Sequence, residues 1–153
     1  MMILTLLYAC EFKLPKGVVQ GSEYKIESVA KTLPKSNEKL TVSGTIIIKD
    51  ACTITLKDLV YIPQIQQVFV YASDAANIND SNANGEQISD KEVSHSAFSG
   101  TEQDIILTTS IENAKSIKLF GSRDKFVIGA SSISSASVKT FSILVTVAIL
   151  TMM

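Results

Sequence analysis

The sequence predicts an all-β protein, a small antiparallel β-sandwich or barrel of about six to eight short strands. Apolar and polar residues alternate with a period of two through the middle of the chain, as they do in half-buried strands. β-Branched residues fill these runs, and no stretch combines an N-cap with the 3.6-residue apolar period of a helix. Short strands without intervening helices are typical of sandwiches and barrels.

The first three predicted strands cover 40–48, 52–57 and 66–73. Their even-numbered residues are mostly apolar, and threonine, serine and glutamine are frequent between them, so each strand has one face suited to the core. Residues 49–51 are expected to form the turn between the first two strands. Pro63 ends the second run or places it at a sheet edge, because proline cannot donate a backbone hydrogen bond.

Three shorter strands are predicted at 105–109, 116–120 and 125–130, with a turn at 121–124. A long polar stretch, 74–99, precedes them and is expected to be a solvated loop because Asn, Asp, Ser and Gly favour turns.

The segment 11–38 differs from the rest because prolines, glycines and charged residues interrupt it. It predicts a loosely structured N-terminal arm with a short strand or helix near Tyr24 to Val29. The β domain itself is expected to cover 39–130.

Composition excludes several functional classes. The chain has 153 residues, a net charge of −1, two Cys and one His. That charge lacks the basic patch needed for nucleic-acid binding. The cysteines and histidine are too few for a Cys/His zinc site or a scaffold with several disulfides. The mean hydropathy of +0.25 is high for a soluble domain, and much of the excess lies at the two ends.

The N-terminal apolar stretch, Met1 to Ala9, has the length of the apolar core of a secretory signal. We therefore expect a signal peptide over 1–10, without the usual basic start, and its removal would take Cys10 and exclude an internal disulfide. One alternative is a bacterial lipoprotein anchored through Cys10, although Tyr8 fits that signal poorly. A buried first strand is the structural alternative.

The C-terminal region resembles a signal for a glycosylphosphatidylinositol anchor. Small residues at the attachment position, Gly129, Ala130 and Ser131, precede a Ser-rich spacer over 131–140 and an apolar tail over 141–153. The tail is too short to span a bilayer comfortably as a helix. We expect a lipid anchor in the outer membrane leaflet; a C-terminal strand or a short tail anchor is the alternative.

Part of the polar stretch resembles the first half of a calcium-binding loop. Oxygen-bearing residues alternate as Ca²⁺ requires, and the candidate ligands are Asp80, Asn82, Asn84 and Glu86. The second half fails, because Lys91 stands where a bidentate Glu is needed. Asn79 begins an N-glycosylation sequon in the same stretch; a glycan there would disfavour the Ca²⁺ site.

Three side-chain types have competing structural interpretations. Cys52 is expected on the apolar face of its strand as a buried free thiol, with a redox thiol as the alternative. His95 has no catalytic partner pattern and is expected to be a solvated loop histidine. The aromatic residues are expected to belong to the core rather than to a binding stripe: Tyr61, Phe69, Tyr71, Phe98, Phe120 and Phe126.

The order of strand motifs resembles the DM13 domain, a small extracellular β domain also described as an electron-transfer module. No single motif is specific, and their order and spacing carry the resemblance. The residues are Val42–Thr45, Leu56–Leu59, Gln67–Ser73, Gly100–Ile105, Ser116–Phe120 and Phe126–Gly129. The resemblance covers about Lys39 to Ala130 and implies a β fold and an extracellular location.

One departure limits what the resemblance implies about redox chemistry. The family typically has a cysteine after an aromatic residue in its penultimate strand, whereas Gly121 follows Phe120 here. Electron transfer through that cysteine is therefore not expected.

These observations together predict a secreted, membrane-anchored and non-catalytic cell-surface module. It would bind an extracellular protein or glycan, or contribute to a surface coat, and the loop at 74–99 is its expected contact surface. An extracellular redox protein and a Ca²⁺-dependent adhesion module are the alternatives. No cofactor is expected, apart from Ca²⁺ in the last of these.

Overall fold

The computed structural model describes residues 10–79, 85–95 and 100–133, which form nine strands and no helix. The strands, numbered in chain order, are β1 (Ser22–Lys25), β2 (Glu27–Ser28), β3 (Thr41–Asp50), β4 (Thr53–Ile62), β5 (Val68–Ser73), β6 (Glu86–Gln87), β7 (Glu102–Ile106), β8 (Ser116–Gly121) and β9 (Phe126–Ser132).

Two antiparallel sheets divide these strands. The four-stranded sheet has the order β1-β3-β4-β7, and the five-stranded sheet has the order β2-β9-β8-β5-β6. Every pairing between neighbouring strands is antiparallel. The predicted all-β class is therefore confirmed. The described strands slightly exceed the predicted number, because β2 and β6 are strands of only two residues each.

The core lies between the two sheets. The predicted alternation is confirmed, because the apolar side chains at even-numbered positions of β3 and β5 are buried. Side chains from both sheets form one apolar cluster, which includes Ile46, Ile48, Ile54 and Leu56 from one sheet and Val68, Val70, Ile117 and Leu119 from the other. Burial of each such aliphatic side chain stabilises the folded state by about 1.5–3 kcal/mol.

The N-terminal segment belongs to this domain, which corrects the predicted boundary at residue 39. β1 pairs with β3 and β2 pairs with β9, so the segment contributes a strand to each sheet. Val18, Tyr24 and Ile26 are buried in the common core. The short strand expected near Tyr24 is confirmed, but the loosely structured arm around it is not.

The prediction of a solvated loop over 74–99 is also corrected, because 85–95 is a structural part of the sandwich. The Ile88 amide donates to the Val70 carbonyl at 3.0 Å, and the Val93 amide donates to the Val68 carbonyl at 2.8 Å. On the other side, the Thr108 amide donates to the Ile88 carbonyl at 2.9 Å. Ile88 and Val93 are buried. This segment therefore closes the side of the sandwich between β5 and the end of β7.

Gly129 marks the closest approach of β9 to the opposite side of the core. A Cβ at this position would lie 2.9 Å from Val42 Cγ1, 3.0 Å from Ile26 Cγ2 and 3.1 Å from the Glu27 carbonyl oxygen. Any side chain there must displace packed groups from two other strands, because protein cores have little free volume.

We expect Gly129→Val to lower the free energy of unfolding by about 2–3 kcal/mol through overpacking. Chemical denaturation of the purified domain measures this. Ser43→Val is the matched control: it adds carbon atoms on the exposed face of β3, where we expect a change within about 0.5 kcal/mol. Equal stability of both variants and the wild type would contradict the packing described for β9.

Candidate functional site

A disulfide between Cys10 and Cys52 joins the N-terminal segment to the turn between β3 and β4. Their Cα atoms are 5.7 Å apart and 42 positions separate them in the sequence. The Cys52 amide donates to Asp50 Oδ1 at 2.8 Å, and the Cys52 carbonyl accepts from the Leu107 amide at 2.8 Å. The disulfide and the backbone hydrogen bond of Cys52 therefore join three separate segments of the chain at one end of the four-stranded sheet.

The disulfide corrects three expectations about the cysteines. Cys52 is neither a free thiol nor a strand residue, because it is bonded to Cys10 in the turn between β3 and β4. Cys10 is part of the folded domain, so removal of a leader has to spare it. The lipoprotein alternative also fails for this structure, because the Cys10 sulfur cannot carry a lipid thioether and a disulfide at once.

An acidic cleft lies beside β5 and β6, at the start of the predicted binding loop. Its volume is about 410 Å³, and Asp74, Glu86 and Glu112 line it together with Ser73, Ser110 and Asn113. The Ser73 hydroxyl accepts from the Ala75 amide at 3.1 Å, which fixes the chain where it leaves β5. The three carboxylates make the cleft rich in hydrogen-bond acceptors and negative charge.

The predicted Ca²⁺ ligands are only partly within the described residues. Asp80, Asn82 and Asn84 lie outside them, and Glu86 is exposed in β6, where it pairs with Ala72. Among the described residues, no group of three or more acidic, histidine or cysteine side chains could hold a metal ion. Asn79, the glycosylation candidate, is exposed, and its backbone N–H donates to Asn77 Oδ1 at 3.0 Å.

A charged network on the outer face of the four-stranded sheet was not predicted. Asp104 on β7 accepts from Lys49 Nζ at 2.9 Å and from the Thr55 hydroxyl at 2.7 Å, and its backbone carbonyl accepts from Lys91 Nζ at 3.0 Å. The Thr55 and Lys49 hydrogen bonds hold the pKa of Asp104 below its usual value. The same contact with Asp104 raises the pKa of Lys49.

We expect Asp104→Asn to lower Tm by only about 2 °C or less, because exposed ion pairs contribute little. The Asp104 side chain is 44% exposed. Since its pKa is lowered on folding, its contribution is present above the unfolded-state pKa and is lost as pH falls through the folded-state pKa. The difference in Tm should therefore be present at pH 7 and vanish in strong acid, which calorimetry across pH can measure. A difference that grows in acid would contradict this assignment.

The aromatic residues fall into two groups. Tyr61 is buried as predicted, and its ring contacts His95 edge-on with centroids 5.4 Å apart. Burial raises the pKa of Tyr61, and the nearby Glu92 adds to the effect. His95 lies outside the strands, as predicted for a loop histidine, but it is half-buried rather than fully solvated. Phe98 lies outside the described residues.

Phe69, Tyr71 and Phe120 do not belong to the core cluster. They lie on the outer face of the five-stranded sheet, where Phe69 pairs with Phe120 across the strands. The rings of Tyr71 and Phe120 are 4.6 Å apart. The prediction that all these aromatic residues are core residues is therefore wrong for this group, while Phe126 packs against the core as expected.

The residues predicted for lipid attachment lie inside β9. Gly129 and Ala130 pair with Leu119 and Lys118 of β8, and the Ser131 hydroxyl donates to the Lys25 carbonyl at 2.5 Å. Ile133, just after the strand, is fully buried. Cleavage at the predicted position would remove half of β9, so attachment compatible with this fold requires a position after Ile133. The tail at 141–153 lies outside the described residues.

These features define the class of the protein as a small, disulfide-bonded antiparallel β-sandwich. Comparisons with protein-family models, with curated proteins and with solved structures found no match. The resemblance to the DM13 domain therefore stays a prediction. Within the described ranges, no helix is long and apolar enough to cross a membrane.

Proposed function

We propose that the protein is a secreted, non-catalytic module of the cell surface that binds an extracellular protein or glycan. The disulfide between Cys10 and Cys52 is the observation that carries this proposal. Structural disulfides persist in oxidising compartments and are rare in the cytosol. A bond that ties the N-terminal segment to the core is therefore consistent with export.

The acidic cleft is the proposed contact site. Asp74, Glu86 and Glu112 line it, and none of the other lining residues is basic. Lys16 and Lys115 line the neighbouring cleft that shares Asp74 and Glu112. A partner that presents basic or amide groups would complement the negative charge and the hydrogen-bond acceptors of this cleft.

The loop assigned to binding is smaller than the sequence predicts. Since 85–95 closes the sandwich, replacing all of 74–99 by a short linker would unfold the domain rather than report on a partner. Point substitutions at the rim of the cleft avoid this problem, because Asp74, Glu86 and Glu112 are exposed.

The binding test uses the labelled domain on an array of extracellular proteins and glycans. We expect Asp74→Asn/Glu86→Gln/Glu112→Gln to weaken binding to any ligand found by about tenfold or more, mainly through slower association, because the variant loses three negative charges that complement a basic partner. The control is Glu38→Gln/Asp90→Asn/Glu102→Gln, which changes the net charge equally at exposed positions outside the cleft. Equal loss in both variants would contradict a specific role of the cleft.

Export is tested separately, by expressing the full chain in a secretory cell and locating it. We expect oxidised protein in the medium or on the cell surface. Retention in the cytosol with both thiols reduced would overturn the proposed location.

A further inference from the structure

The strand β7 lies at one edge of the four-stranded sheet, whose order is β1-β3-β4-β7. It pairs with β4 along one side, and within the described ranges no strand pairs with its other side. An edge strand presents backbone N–H and C=O groups that another strand can pair with. The free side of β7 is therefore a candidate surface for strand addition.

Two backbone hydrogen bonds show which residues of β7 face this free side. The Asp58 amide donates to the Thr101 carbonyl at 2.9 Å, and the Leu107 amide donates to the Cys52 carbonyl at 2.8 Å. In an antiparallel ladder, every second residue bonds to the same neighbouring strand. The odd-numbered residues of β7 therefore bond to β4, and the backbone groups of its even-numbered residues point away from the sheet.

Other segments occupy only part of this outward side. Lys91 Nζ donates to the Asp104 carbonyl at 3.0 Å, and beyond the strand the Thr108 amide donates to the Ile88 carbonyl at 2.9 Å. Between these two contacts, the Asp104 N–H and both backbone groups of Ile106 bond to none of the described residues. Two donors and one acceptor are thus available on the outward side of β7.

The side chains around this edge suit the approach of a second copy of the chain. The Ile106 side chain is 53% exposed beside the available backbone groups, and strand addition would remove part of it from water. Lys49, Lys91, Glu102 and Asp104 line one cleft of about 470 Å³ at the same edge. Their charges sum to zero, so two copies of this surface do not repel each other through net charge.

We propose that β7 pairs with β7 of a second copy, antiparallel and about a twofold axis, and joins the two four-stranded sheets into one. An isologous contact of this kind uses the same strand in both copies, and the backbone hydrogen bonds of strand addition supply its affinity. The contact forms a homodimer through the edge and leaves the acidic cleft beside β5 and β6 outside the interface.

Electrostatics and the available backbone groups select one register. With Asp104 opposite Ile106 of the second copy, the free N–H of Asp104 meets the free carbonyl of Ile106, and symmetry repeats this bond. The two Ile106 side chains are then diagonal neighbours, about 7–8 Å apart at their Cα atoms. A register with Asp104 opposite Asp104 would place two carboxylates side by side, which is destabilising.

Lys91 weakens this pairing without preventing it. In the selected register the Ile106 N–H of the second copy donates to the Asp104 carbonyl, which Lys91 already contacts. A carbonyl oxygen has two lone pairs and can accept both bonds, but a lysine at a strand edge disfavours strand addition. Since two five-residue strands also make a small interface, we expect a dissociation constant of about 0.1 mM.

Amide hydrogen exchange measured by NMR tests the pairing at the residues that form it. The sample is the oxidised protein with its Cys10–Cys52 bond intact, studied from about 10 μM to about 1 mM, on both sides of the expected dissociation constant. We expect the Asp104 and Ile106 amides to exchange rapidly at low concentration and to become protected at high concentration. The Leu107 amide, bonded within the protomer, should be protected equally at both and is the internal control.

Sedimentation equilibrium of three variants measures the dimer independently. Ile106→Asp should raise the dissociation constant about tenfold or more, because it places an added carboxylate beside Asp104 of the second copy. Ile62→Asp is the matched control: Ile62 is 59% exposed, lies at the end of β4, and should leave the constant unchanged. Lys91→Ala should lower it about fivefold or more by freeing the Asp104 carbonyl.

The three variants keep the test decisive if one of them folds poorly, because they act in opposite directions. Wild type and Lys91→Ala that both stay monomeric up to about 1 mM would overturn the proposal. A dimer that Ile106→Asp and Ile62→Asp weaken equally would also overturn it, and so would amides of Asp104 and Ile106 whose exchange does not change with concentration.

Discussion

Replacing Cys10 by Ser should lower the free energy of unfolding by about 3 kcal/mol and Tm by about 10 °C. The bond joins Cys10 to Cys52, which lies 42 positions later in the sequence, and so closes a long loop of the chain. Without it the unfolded chain gains conformational freedom, and the N-terminal segment loses its tie to the turn before β4. Thermal denaturation of Cys10→Ser, Cys52→Ser and the double variant measures the effect.

The three cysteine variants provide a strict control. If the two sulfurs act only as one bond, each single variant and the double variant should lose the same stability. Reductant should lower the Tm of the wild type to theirs and leave the variants unchanged. If either single variant were as stable as the wild type, the result would contradict the presence of a stabilising Cys10–Cys52 bond.

Ile88→Ala should lower the free energy of unfolding by about 3 kcal/mol. Ile88 is fully buried, and its amide and carbonyl join the strand β5 to the chain just after β7. The substitution leaves a cavity where the closing segment 85–95 meets both sheets. Urea denaturation monitored by circular dichroism measures the change.

Asp90→Ala is the matched control for this prediction. Asp90 is exposed two positions away in the same segment, and we expect a change within about 0.5 kcal/mol. A solvated loop would tolerate both substitutions equally. Equal stability of the two variants would therefore restore the simpler interpretation of 74–99 as a loop.

The sequence predicts strands well where one face is buried and the other is not. The alternation over 40–48 and 68–73 places every buried apolar residue correctly, because the period of two reports directly on the sheet face. It does not predict the burial of Ser73, which stands at an odd-numbered position. It says less about 85–95, where Ile88 and Val93 stand among polar residues. Their burial depends on hydrogen bonds to β5, a strand more than ten residues earlier.

The candidate site shows the same limit more strongly. The Cys10–Cys52 bond joins the N-terminal segment to the turn before β4. The apolar residues before Cys10 resemble a signal peptide, so the local sequence favours removal of Cys10 and gives no indication of the bond. The network around Asp104 joins residues up to 55 positions apart. The aromatic face arises because Phe69 and Tyr71 alternate with core residues, and alternation alone does not say which side faces water.

Peptide mapping of the exported protein without reduction tests the central claim most directly. That claim is that Cys10 remains in the mature domain and is bonded to Cys52. We predict that trypsin releases a peptide ending at Lys13 linked to the peptide Asp50–Lys57, and that reduction separates the two. A mature chain that begins after Cys10, or two cysteines alkylated without prior reduction, would contradict the account.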